Sequence, residues 1–192
     1  MFYVNRSNTT VNKEKLRELA IQWAQLLRTS NAVVVDTESC GGRKEDEIIS
    51  IGVARVVDGK KLFYSLVRPS SKAKFNYYAT KVHGIQEHHL VSAPTIEDVW
   101  KEVQSLLAEN IVVAYNKSAD ERMIRQTAEN WNLTLPDISW ECAMKKYKEF
   151  SGKNVTLTKA CEELNVKSGG HNALEDAIAT ARVIYRMANA RN

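Results

Sequence analysis

VVVDTES, residues 33–39, runs three β-branched valines into two acids one residue apart, Asp36 and Glu38. Valines in series favour extended backbone and read as a buried strand. Side chains alternate faces along a strand, so residues i and i+2 share one face and the two carboxylates lie side by side. Like charges that close repel. Either one carboxylate stays protonated, or a basic side chain pairs with them, or a cation sits between them. The stretch alone leaves all three open.

Outward from this strand, EIISIGVARVV (47–57) and KLFYSLV (61–67) read as two further strands, with Asp58-Gly59 as the hairpin turn between them. Upstream, residues 12–28 place Leu16, Leu19, Ala20, Trp23, Leu26 and Leu27 at three- and four-residue spacing, which predicts an amphipathic helix. Downstream, 76–91 reads as two short helical turns separated at Gly84, and 95–109 as a capped helix entered at Pro94. IVVAY (111–115) has the length of a strand and leads into a helical pattern from Ala119 to Trp131. Helices are expected over 139–150 and 156–165, and an alanine-rich one after Gly169-Gly170. Three meander strands followed by helix, strand and helix predict an α/β domain with a mixed sheet covered on both faces.

At 192 residues and 44% hydrophobic content the chain suits one core, and no linker or repeat divides it. A single domain over 1–192 is expected, with 1–30 as a helical extension and 31–192 as the core. Cys40, Cys142 and Cys161 are odd in number and form no CxxC pair, which argues against a disulfide framework or a zinc site and fits a reducing, cytoplasmic setting. The start, MFYVNRSNTT, lacks the pattern of a secretory signal, and no apolar run approaches membrane-spanning length, so no membrane partner is expected. A net charge of +4 hints weakly at an anionic partner. Two divalent cations held by acids would strengthen that hint.

Four acids occupy suggestive places: Asp36 and Glu38 at a strand end, Asp120 just after a second strand, and Asp176 early in the last helix. Strand ends and the helices that follow them are where α/β sheets build their sites. Hard oxygen donors without cysteine partners favour magnesium or manganese. His171 lies five residues before Asp176, a spacing that on one helix would turn the side chains roughly 140° apart. It is therefore placed on the loop after Gly169-Gly170, where a histidine can reach a water and take its proton.

These residues, in this order, resemble the DEDDh branch of the DnaQ-like 3′-to-5′ exonucleases. D-x-E matches Asp36-Thr37-Glu38, N-x-x-x-D matches Asn116 to Asp120, and H-x-A-x-x-D matches His171 to Asp176. EIISIGVARV, VRP (67–69) and ATKVHGI (79–85) are also similar. The resemblance implies an RNase H-like fold with a mixed five-stranded sheet flanked by helices on both faces. It further implies two magnesium or manganese ions held by Asp36, Glu38, Asp120 and Asp176, with His171 as general base. Thr37, Ser39, His83 and Asn116 are expected beside the substrate. The chain departs from the family pattern at Ala119, where an aromatic commonly stands, at Lys117, where alanine does, and at Ser39, where threonine is frequent; none removes a metal ligand.

The expected substrate is the 3′ end of single-stranded nucleic acid, DNA slightly before RNA. An exoribonuclease of the same family and a non-catalytic nucleic-acid-binding or polymerase-accessory module are the alternatives, with a polymerase partner or a homodimer left open. His83, before Gly84, is placed on the substrate side rather than on the proton, and His88 and His89 toward solvent. Lys145, Lys146, Lys148, Lys153 and Lys159, with Tyr147 and Phe150 between them, suggest either a track for a single strand or a solvated face.

Overall fold

The computed structural model describes the backbone of residues 6–190 and the side chains of residues 12–190. The ends of the expected domain, 1–5 and 191–192, lie outside the described residues. Helix α1 (Arg6–Thr29) leads into β1 (Ala32–Ser39), β2 (Ile48–Arg55) and β3 (Lys61–Leu66). Then come α2 (Tyr77–His83), a 3₁₀ turn (Glu87–Leu90), α3 (Ile96–Ala108), β4 (Ile111–Ala114) and α4 (Lys117–Asn130). The chain closes with β5 (Ser139–Cys142), α5 (Ala143–Ser151), α6 (Leu157–Leu164) and α7 (Ala173–Ala188). Among the described residues no helix is long and apolar enough to cross a membrane.

The sheet is mixed and five-stranded, in the order β3-β2-β1-β4-β5. β1 is central, antiparallel to β2 and parallel to β4. Its alternation divides the core. Val34 packs with α1, α5, α6 and α7 on one side, whereas Val33 and Val35 pack with α3 and α4 on the other. Buried Ala20, Ile21, Ala24 and Leu27 seat α1 on the first of these layers, and Trp23 donates its indole N–H to Glu141 at 3.1 Å.

Residues 139–142, expected as the start of a helix, instead form the edge strand β5, parallel to β4. Four partly exposed residues carry too little alternation to be told from the helix that follows. Glu47, buried just before β2, is held by Ser70 through its backbone N–H and hydroxyl and by the Trp131 indole. Three donors offset the cost of placing a carboxylate there.

One close approach fixes where α7 lies. Gly52, opposite Asp36 in the ladder, sits beneath the start of α7, and a Cβ there would fall 2.4 Å from the backbone N of Leu174 and 2.5 Å from the carbonyl carbon of Ala173. Gly52→Ala is expected to push α7 off the sheet, lowering stability by about 1–3 kcal/mol, in the range of core overpacking. Activity should fall more steeply than that loss of folded population explains, because Asp176 moves with the helix; unfolding curves and turnover on the same preparation check this.

Candidate active site

Asp36 and Glu38 lie on the α7 side of β1, the side to which Val34 points. The ladder to β2 shifts register between Glu38 and Ser39, an irregularity of the kind that re-aims side chains at a strand end. Asp120 arrives from the opposite layer, in the first turn of α4. Thr37, alternating away from its two acidic neighbours, joins the layers: its backbone N–H and its hydroxyl both donate to Asp120 Oδ1, each at 2.9 Å. The strand thus offers carboxylates with its even residues and a clamp with the odd one between them.

Asp176 lies in the first turn of α7, capped by Asn172, whose side chain accepts from the Glu175 N–H at 3.2 Å. Gly169 presses on this turn so closely that a Cβ would sit 2.3 Å from the Asp176 nitrogen. Gly170 (φ 69°) and His171 (φ 62°) then take left-handed backbone in succession, a conformation uncommon for a residue with a side chain. A ring nitrogen of His171 and carboxylate oxygens of Glu38 and Asp176 come within 4.8 Å of one another.

These groups line one cavity of about 360 Å³. Asp120 and Asp176 are buried, and Asp36 and Glu38 half-buried. Lost hydration, then the charges of Asp120, Asp176 and Glu38, hold the Asp36 carboxyl well above the usual range. Lost hydration, then Asp176 and Asp120, push Glu38 up to about 8. Burial pushes Asp120 up to about 7 against the pull of the two Thr37 hydrogen bonds. Asp176 is also raised by burial, with the His171 charge and the His171 and Gly169 amides opposing. Among the described residues none of these four acids forms an ion pair with lysine or arginine. Of the three answers to the repulsion between Asp36 and Glu38, pairing with a basic side chain therefore drops out. Protonation or a bound cation remains, and a set of converging oxygen donors fits a hard divalent cation.

Thr37, Ser39 and Asn116 line the same cavity; Asn116 stands at the start of α4 without a side-chain capping bond. His83 does not line it. Its Nδ1 accepts from the Ile85 N–H at 3.0 Å, so Nε2 carries the proton, donated to the Ser39 carbonyl at 3.2 Å. Burial lowers the His83 pKa, against the pull of the Ser39 carbonyl, which raises it. With both ring nitrogens engaged, His83 braces the end of β1.

The structure corrects the suggested strand track. Tyr147 and Phe150 are buried in the core, and Lys146, Lys153 and Lys159 pair with Glu149, Glu163 and Glu162. Sequence reasoning missed Arg122 on α4 and Thr156, Leu157 and Thr158 at the start of α6, all of which line the cavity. Thr156 carries the signal of a helix cap, but nothing in its neighbourhood connects it with residue 36.

The RNase_T family model, described as an exonuclease, matches residues 33–184. The chain is 27% identical to an uncharacterized exonuclease of Escherichia phage 186, over 93% of this chain and 97% of that one. It is 30% identical to the DNA polymerase III subunit epsilon of Aquifex aeolicus, over 81% and 79%. Its fold superposes on the nuclease domain of 3′hExo, a DEDDh family member solved with rAMP, with a TM-score of 0.69 at 19% identity, covering 82% of this chain and 92% of that one. The chain belongs to the RNase_T exonuclease family, of the DnaQ-like type, and is a hydrolytic nuclease.

Proposed function

We propose that the protein is a 3′-to-5′ exonuclease that removes nucleotides from single-stranded 3′ ends, DNA slightly before RNA, with two magnesium or manganese ions. The observation that carries this reading is the convergence of four unpaired carboxylates and His171 in one cavity. Asp36, Glu38, Asp120 and Asp176 would hold the ions, which supply Lewis acidity to the attacking water and to the leaving oxygen. His171 takes a proton from that water at a ring nitrogen. The water oxygen bonds to phosphorus as the P–O3′ bond breaks; the terminal nucleoside leaves with its phosphate as a 5′-mononucleotide, and the 3′ oxygen left on the shortened strand takes a proton from solvent to become a 3′-hydroxyl. Thr37 holds Asp120 in place through this exchange, and Ser39 and Asn116 lie where the terminal nucleotide enters.

DNA is favoured because the epsilon-subunit relative is named for a DNA polymerase, a likeness that also supports a polymerase partner. The rAMP bound by the structural neighbour favours the exoribonuclease alternative. Packing of α1 on the sheet layer supports a single exonuclease domain with 1–30 as its helical extension. Three free cysteines, two of them buried, fit a cytoplasmic setting. A 5′-labelled single strand should give a descending ladder in magnesium or manganese and none in chelator, with DNA degraded somewhat faster than RNA. Release of a 5′-labelled mononucleotide first, or cutting of a closed circle, overturns the polarity.

A further inference from the structure

Helix α2 has seven residues, none of them buried. A helix that short is not stable by itself, so its ends must hold it. The Asn76 side chain accepts from the N–H groups of Tyr78 and Ala79, and Gly84 closes the other end in left-handed backbone, donating to the Thr80 carbonyl. Both ends are tied to the exit of β1: the Asn76 N–H donates to the Cys40 carbonyl at 2.7 Å, and His83 to the Ser39 carbonyl at 3.2 Å. The helix is thereby fixed beside the strand that carries Asp36 and Glu38.

Its outer surface is unusual. Tyr77 is 71% exposed, Tyr78 76% and Val82 54%, and the two tyrosine rings stand edge to face with centroids 5.6 Å apart. Exposed apolar groups gathered on one short element mark a surface that something covers. Along this stretch of the chain the charge has one sign. No aspartate or glutamate occurs between Asp58 and Glu87, and Lys72, Lys74 and Lys81 are exposed. Aromatic faces among lysines that have no ion-pair partner among the described residues, on a helix anchored to the exit of the strand that carries Asp36 and Glu38, suit bases and phosphates together.

We infer that Tyr77 and Tyr78 form a stacking platform for the nucleotides on the 5′ side of the scissile bond, with Lys72, Lys74 and Lys81 facing their phosphates. This rests on the exonuclease reading for the placement of the bond, but not for the binding itself. The platform receives unpaired bases, because a base must leave its duplex partner to lay its face on a ring. It therefore selects frayed or single-stranded ends without reading sequence.

The test pairs Tyr77→Ala/Tyr78→Ala with Tyr77→Phe/Tyr78→Phe. Binding of a fluorescent twelve-nucleotide oligothymidylate is measured by anisotropy in calcium, and hydrolysis is measured on the p-nitrophenyl ester of thymidine 5′-monophosphate, which has no nucleotide on the 5′ side. The alanine variant should bind the oligonucleotide about 10- to 100-fold more weakly, hydrolyse the ester at the wild-type rate, and have its binding restored in the phenylalanine variant. Unchanged oligonucleotide binding in the alanine variant overturns the platform, and so does an equal loss on both substrates. A wild-type protein inert toward the ester and toward oligonucleotides in magnesium would sink the exonuclease reading while the binding comparison still decides the platform.

Discussion

Asp176→Asn is expected to abolish nuclease activity while leaving the metal-free protein at least as stable as wild type. Asparagine keeps the shape of the side chain and an oxygen that can accept from the His171 and Gly169 amides. What it loses is a negative charge that helps raise both Asp36 and Glu38. Unfolded carboxyls titrate near pH 4, whereas in the folded protein Glu38 is raised to about 8 and Asp120 to about 7. Over that interval the folded state holds protons that the unfolded chain has released. The stabilisation is complete below the unfolded range and is lost as the pH climbs through the folded values. The metal-free wild type should accordingly weaken between about pH 5 and pH 8, and Asp176→Asn should weaken less. Manganese should restore the wild type at pH 8, since a ligand that binds only the folded state stabilises it, and should do much less for the variant. Thermal unfolding at both pH values, with and without metal, reads all of this. An Asp176→Asn protein that is inactive only because it fails to fold would return Asp176 to a structural role.

Replacing His171 should cut turnover by about 10² to 10⁴, the usual cost of removing a positioned base. Alanine at this left-handed position adds backbone strain. His171→Asn is the cleaner variant, since asparagine tolerates that conformation and cannot serve as the base. Both should keep the manganese affinity of the wild type. Because a His171 ring nitrogen lies within 4.8 Å of Glu38 and Asp176 oxygens, a metal-ligand role is the competing assignment. Loss of manganese affinity in parallel with turnover would establish it and remove the base role. His83→Ala should instead weaken substrate binding, because it frees α2 from the Ser39 carbonyl.

The central strand and its acids were legible because their determinants are local. Three valines followed by alternating acids specify both the strand and the face, and the structure adds only that Thr37 faces the other layer to hold Asp120. The spacing of His171 and Asp176 likewise pointed to a loop and a helix, and two left-handed residues make the turn. Other features depend on partners distant in sequence. β5 is a strand because β4 lies beside it. Arg122 and Thr156 join the site only after two helices from different parts of the chain converge on one strand end. Between the two readings of the lysine run, a strand track and a solvated face, Tyr147 and Phe150 decide by their burial, and their three-residue spacing on a helix is the pattern of a buried face. The lysines around them drew attention to charge, although long basic side chains commonly border a core.

The approach of α7 to the sheet at Gly52 also limits how the sequence can change over time. A side chain added at residue 52 collides with backbone atoms of residues 173 and 174 rather than with their side chains. Trimming the neighbours therefore cannot make room, and no second substitution there can compensate for the first. Accommodation requires the helix itself to move, and Asp176 moves with it. Residue 52 is thus expected to resist substitution by a route that contributes nothing to the chemistry: a change there displaces the helix that carries Asp176.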